Sequence, residues 1–163
     1  MEHYFGLHEA SLQKLRLADH ILNEAYPTFK DSKLLLVATE NLYLALHYGK
    51  GTLIEYASLV NEGNSKLIEL KLREKYQIPR VYFTLLKELR TILLEHKKSP
   101  IEFERKESYI ICSDKYTFKK LTPMILKYQY NKSKEFINII SNIISKDLTP
   151  SNRFSTTTLT IIA

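Results

Sequence analysis

The sequence predicts an all-α fold: an antiparallel bundle of four or five helices, with a small β-hairpin inserted before the last helix. Three observations carry that expectation. Apolar residues recur at three- and four-residue spacing through most of the 163 positions. Only four glycines break the pattern. One stretch, about 101–112, switches to strand-like alternation.

From Tyr4 to Tyr26, Leu7, Leu15, Ala18, Leu22 and Ala25 fall on one side of a first helix. A second is expected to start at Asp31-Ser32 or after Pro27. Its runs "LLLVA" at Leu34–Ala38 and "LYLAL" at Leu42–Leu46 are apolar on every side, which marks a central helix. Gly49 and Gly51 are expected to interrupt it, with "TLIEYASLV" continuing as another helical piece. The cluster "NEGN" at Asn61–Asn64 is a stop and turn signal, and "SKLIELKLREKY" reads as a short helix.

The next helix spans about Arg80 to His96, with Tyr82, Leu85, Leu86, Leu89, Ile92 and Leu93 on one line. It should end near Lys98, because Pro100 disfavours helical geometry at Ser99. In "IEFERKESYIICS", Ile101, Phe103 and Arg105 alternate with polar residues, and Lys106-Glu107 makes the turn of a hairpin. Thr122-Pro123 is a cap followed by a first-turn proline, opening a last helix that aligns Ile125, Phe136, Ile139, Ile140 and Ile143. Residues 1–148 are thus expected to form one domain. The tail 149–163 has no helical period and is expected to be docked or loosely ordered.

An apolar fraction of 44% and a charged fraction of 26% are those of an ordinary globular protein. Cys112 is the only cysteine, and no Cys or His pairing has zinc-ligand spacing, so neither a disulfide nor a metal is expected. No apolar run reaches the roughly 18 residues of a membrane span. The start "MEHYFGLHEA" lacks the basic and apolar pattern of a secretory signal, which makes the cytoplasm the expected compartment. Phosphate-loop, dinucleotide and zinc-protease motifs are absent, and no cofactor is expected. His3, His8, His20 and His47 stand singly. His47 shares a helix face with Glu40, a pairing that reads more readily as helix packing than as a ligand set.

The formal charge of +6 is unevenly spread. Residues 80–134 hold 13 basic and 6 acidic residues, whereas residues 1–79 are close to neutral. Concentrated Lys and Arg attract phosphate-bearing partners in a salt-sensitive way, although lysines on solvated helix faces have the same composition.

On Arg90-Thr91-Ile92-Leu93-Leu94-Glu95-His96 the sequence resembles the HEPN superfamily of small helical bundles. Ribonuclease members of that superfamily carry an arginine, four to six residues, then a histidine. The stretches "ADHILNEAY" and "ATENLYLALHY" resemble its opening helix pair, and "EHKKSPIEFERK" is similar to a stretch in small archaeal proteins. The resemblance covers about residues 5–145. Thr91 stands where the family commonly has Asn, and Lys98 where it often has Tyr.

The resemblance implies a homodimer that binds or cuts RNA, with a nucleotidyltransferase as one kind of protein partner. Six helical residues put Arg90 and His96 about 9 Å apart along the axis and about 120° around it. Convergence on one phosphate therefore calls for a helix break or a two-fold interface. In such a site His96 takes the ribose 2′-hydroxyl proton, since an imidazole titrates near neutrality. Arg90 holds the phosphate, and no metal is needed. Lys97, Lys98, Arg105 and Lys106 are expected to follow the RNA backbone, with Phe103 or Tyr109 stacking on a base. The alternative is a non-catalytic helical interaction or dimerisation module. There His96, Lys97 and Lys98 merely complement a helix C-terminus, and Arg90 covers Phe83 and Leu94.

Overall fold

The computed structural model describes residues 3–146; the tail at 149–163 lies outside the described residues. Helix α1 runs His3–His20 and passes through a π-helical turn, Ile21–Ala25, into the short α2, Tyr26–Phe29. Lys30 then takes the left-handed conformation (φ 53°) and ends the run. Helix α3, Lys33–Tyr56, is the centre of the molecule: Leu35, Ala38, Leu42, Ala45, Leu46 and Leu53 are buried, and α1, α5 and α6 all pack on it. Its start is set by Asp31, whose Oδ1 accepts a hydrogen bond from Lys33 N at 3.0 Å.

The expected interruption at Gly49 and Gly51 does not occur, because α3 continues through both. A Cβ at Gly49 would stand 2.9 Å from Ile140 Cδ1 and 3.4 Å from Ser11 Oγ. This glycine is therefore the place where α1 and α6 close on the central helix. Ser11 Oγ donates to Ala45 O at 2.8 Å across the same seam.

Asn64 caps α4, Ser65–Tyr76, by accepting from Leu67 N. Helix α5, Val81–Lys98, buries Tyr82, Phe83, Leu85, Leu86 and Leu89, while Ile92 and Leu93 are only partly covered. Thr122 caps α6, Pro123–Ser145, as expected. The buried line of α6 differs from the expected one, running through Leu126, Gln129, Ser133, Phe136, Ile137, Ile140 and Ile144. Ile125 is exposed and Ile139 and Ile143 half-buried. Ser133 can sit inside because its hydroxyl donates to Gln129 O at 2.8 Å.

The expected hairpin forms, with β1 at Ile101–Arg105, β2 at Ser108–Cys112 and Lys106 in the turn (φ 56°). It is part of a larger unit. A third strand, β3 at Phe118–Leu121, pairs with β2 to make an antiparallel sheet in the order β1-β2-β3. The fold is thus helix-rich, but a three-stranded sheet stands where the all-α expectation allowed only a two-stranded hairpin. Ser113 closes the turn that admits β3: its N–H donates to Thr117 O, and its hydroxyl lies 2.6 Å from Thr117 Oγ1. Leu121 is buried opposite Tyr109, whereas Lys119 and Lys120 face solvent on the sheet edge. Strand β2 carries the sheet onto α3 and α5, which brings β1 alongside the end of α5.

Candidate functional site

The last turn of α5 is tied down from two directions. Ser99 N donates to His96 O, and the Ser99 hydroxyl lies within hydrogen-bonding reach of Ile101 O and Cys112 O, at 2.8 and 2.5 Å. The chain therefore leaves the helix directly into β1 and carries Glu102 back to the histidine. His96 Nδ1 lies 2.5 Å from Glu102 Oε1. The other carboxylate oxygen accepts from the Tyr109 hydroxyl. A carboxylate held by a buried tyrosine orients the imidazole and favours the tautomer with Nδ1–H, leaving Nε2 as the basic nitrogen. Burial and this hydrogen bond push the Tyr109 hydroxyl up to about 12.

His96 is not buried among leucines: its side chain is 31% exposed. Arg90 and His96 border one cavity of about 300 Å³, together with Leu93, Leu94 and Lys97 of α5 and Glu40, Tyr43 and Leu44 of α3. Helix α5 runs unbroken past both residues. The facing helix α3 supplies the other wall, so side chains separated around α5 still border a shared space.

The remaining expected residues divide. Lys97 and Lys98 are exposed, and Phe103 is exposed on β1. Arg105 and Lys106 lie at the hairpin tip, with Arg105 roughly 13 Å along the strand from Ile101. Lys106 borders a different surface hollow, beside Thr122 and Met124. Tyr109 belongs to the core, so its ring has no open face for a base and its hydroxyl is committed to Glu102. That is a correction, and its cause is that β2 is buried from Ser108 through Ile111. Among the described residues no group of three His, Cys, Asp or Glu side chains is placed to hold a metal ion. Among them, too, no helix is long and apolar enough to cross a membrane.

A second cavity, of about 450 Å³, adjoins the first and shares Tyr43 and Arg90 with it. Here α3 contributes His47 and Lys50, α4 contributes Ser65 and Glu69, and α5 contributes Lys87. Glu69 is buried and paired with Lys87 at 3.1 Å, and Lys50 Nζ reaches Ser65 Oγ at 3.2 Å. Burial lowers the Lys50 pKa, Glu69 opposes that, and the charges of Lys87 and Arg90 lower it further. His47, at the rim, is likewise held below its ordinary value by partial burial, then by Lys50 and Arg90. None of Lys50, Glu69 and Lys87 stands out in the sequence as a site residue. The signal that existed is the line Ser65, Glu69, Leu72, Tyr76 on α4, which puts a carboxylate on the packed face of a short helix.

The chain matches no family model, no curated protein and no solved structure.

Proposed function

We propose that this chain is an HEPN-like domain that binds and cuts single-stranded RNA without a metal, using Arg90 and His96 at the two-fold interface of a homodimer. The observation that carries the reading is the His96 environment: an imidazole oriented through Nδ1 by Glu102, bordering one cavity with Arg90. Nε2 of His96 removes the 2′-hydroxyl proton, and the 2′-oxygen attacks the adjacent phosphorus. The bond to the 5′-oxygen breaks, that oxygen takes a proton from water, and the His96 imidazolium returns its proton to the hydroxide left behind. The products are a 2′,3′-cyclic phosphate and a 5′-hydroxyl. Arg90 neutralises charge on the phosphate oxygens, while Lys97 and Lys98 hold the flanking backbone. Leu94, 45% exposed beside the cavity, supplies apolar surface for the second protomer.

The test is cleavage of end-labelled single-stranded RNA in the presence of chelator. His96→Ala and Arg90→Ala should each slow cleavage by at least about 100-fold, the usual share of a general base or an oxyanion-stabilising group. Circular dichroism should stay unchanged, and the products should carry cyclic phosphate ends. Wild-type-like cutting by His96→Ala, or no cutting by the intact protein, would overturn the reading in favour of a non-catalytic dimerisation module.

A further inference from the structure

The cavity between α3, α4 and α5 is not explained by the cleavage reading, which uses Arg90 at its border but none of His47, Lys50, Ser65, Glu69 or Lys87. Its charge is unbalanced. The charged residues lining it are Lys50, Lys87 and Arg90 against the single carboxylate of Glu69. Glu69 is already spent on Lys87. The fold therefore brings cations from α3 and α5 together around a concave space. Burial is the main cause that lowers the Lys50 pKa, Glu69 opposes it, and the charges of Lys87 and Arg90 add to the lowering. A dianion in that space would match the excess of two positive charges. Hydroxyl donors stand nearby on Ser65, Tyr43 and Tyr48, whereas Ile54, Phe83 and Leu86 line it with apolar surface. A volume of about 450 Å³ is that of a small-molecule site and larger than a bare oxyanion fills.

We propose that this cavity binds a phosphomonoester, with the phosphate dianion held by Lys50, Lys87 and Arg90 and an apolar or aromatic body laid against Ile54, Phe83 and Leu86. The chemistry is shared by a free mononucleotide and by the phosphorylated end of an RNA strand. Arg90 borders both cavities and is shared with the proposed cleavage site, whereas Lys50 and Lys87 belong to this cavity alone and His96 to the other.

Calorimetric titration of the full chain with a nucleoside 5′-monophosphate, the same nucleoside without phosphate, and inorganic phosphate tests it. The monophosphate should bind at least about tenfold more tightly than either of the others, since it alone uses both walls. Lys50→Gln should weaken it at least about tenfold, the loss expected of one charge-assisted hydrogen bond. Lys50 is chosen because Lys87 also neutralises buried Glu69 and its loss could unfold the site. His96→Ala should bind as the wild type does, whether or not it cuts RNA. The His47 ring protons should shift on titration as the anion neutralises Lys50 and Arg90. Competition by short RNA with and without a 5′-phosphate assigns the source: displacement by the phosphorylated strand alone points to an RNA end, and none by either to a free ligand. Equal affinity for nucleoside and monophosphate, no heat up to about 1 mM monophosphate, or a Lys50→Gln variant that binds normally would each overturn the proposal.

Discussion

Glu102 accepts from two side chains that the sequence keeps apart, His96 six residues before it and Tyr109 seven after it. One oxygen serves each, so the carboxylate links the two side chains. This gives a sharper test than removing the histidine. Glu102→Leu keeps a similar volume but removes both acceptor oxygens, so neither His96 nor Tyr109 retains its partner. If His96 is the general base, the variant should lower the cleavage rate on the order of 10²-fold with little change in KM, because substrate contacts stay while the imidazole tautomer is lost. A KM rise with an unchanged rate would mean that the contact only shapes the surface. The pairing was illegible in the sequence for a definite reason. Alternation along "IEFERKESYIIC" places Glu102 and Tyr109 on strands, but it cannot show which face of β1 turns toward the end of α5. Tyr109 misled for a related reason: four consecutive buried residues in β2 erase the alternation that would have placed its ring inside.

At the scale of elements, the two glycines of α3 separate what propensity decides from what packing decides. Each weakens a helix by about 1 kcal/mol relative to alanine. At Gly51 an added Cβ would meet only Leu7, at 3.5 Å, an ordinary contact. Gly51→Ala should therefore stabilise the fold by roughly 0.5–1 kcal/mol in urea unfolding. At Gly49 the same Cβ would lie 2.9 Å from Ile140 Cδ1, in a fully buried side chain. Overpacking of that kind costs roughly 1–3 kcal/mol, which exceeds the propensity gain, so Gly49→Ala should destabilise. Equal effects at the two sites would mean that α6 does not approach α3 as closely as described. The sequence carried the propensity half of this balance and so led to an expected break; the packing half depends on Ile140, 91 residues away. The helix cap at Thr122 was legible because a cap is a local arrangement, whereas "NEGN" marked only a turn and not Asn64 as the cap of α4. Strand β3 was not, because "FKKL" has neither length nor alternation, and it exists only through pairing with β2.

At the scale of the whole molecule, His8 and His47 make acid a condition that loosens the fold. His8 lies on α1 and reaches α6, where its Nε2 is 3.3 Å from Ser141 Oγ. Ser141 donates its own proton to Ile137 O at 3.0 Å, so its oxygen accepts and His8 carries its proton on Nε2. Nδ1 is then a bare, buried lone pair without a hydrogen-bond partner. Protonating it would create a buried N–H with nothing to bond, which fits a His8 pKa lowered by burial and only partly restored by Glu9. His47 is lowered too, by partial burial and then by Lys50 and Arg90. A histidine whose folded pKa lies below its unfolded value of about 6.5 binds fewer protons folded than unfolded just under that pH. The free energy of unfolding should therefore be at its full value above about pH 6.5 and fall as pH drops below it. The contact joins the first helix to the last, so the loss should be global and appear in the cooperative urea transition. His8→Gln removes the titrating group, so its stability should fall less steeply below about pH 6.5 than that of the wild type, whatever its stability at neutral pH. Parallel slopes for the two proteins between pH 7 and 5 would mean that His8 stays accessible to protons in the folded chain, and that α1 does not close against α6 at Ser141.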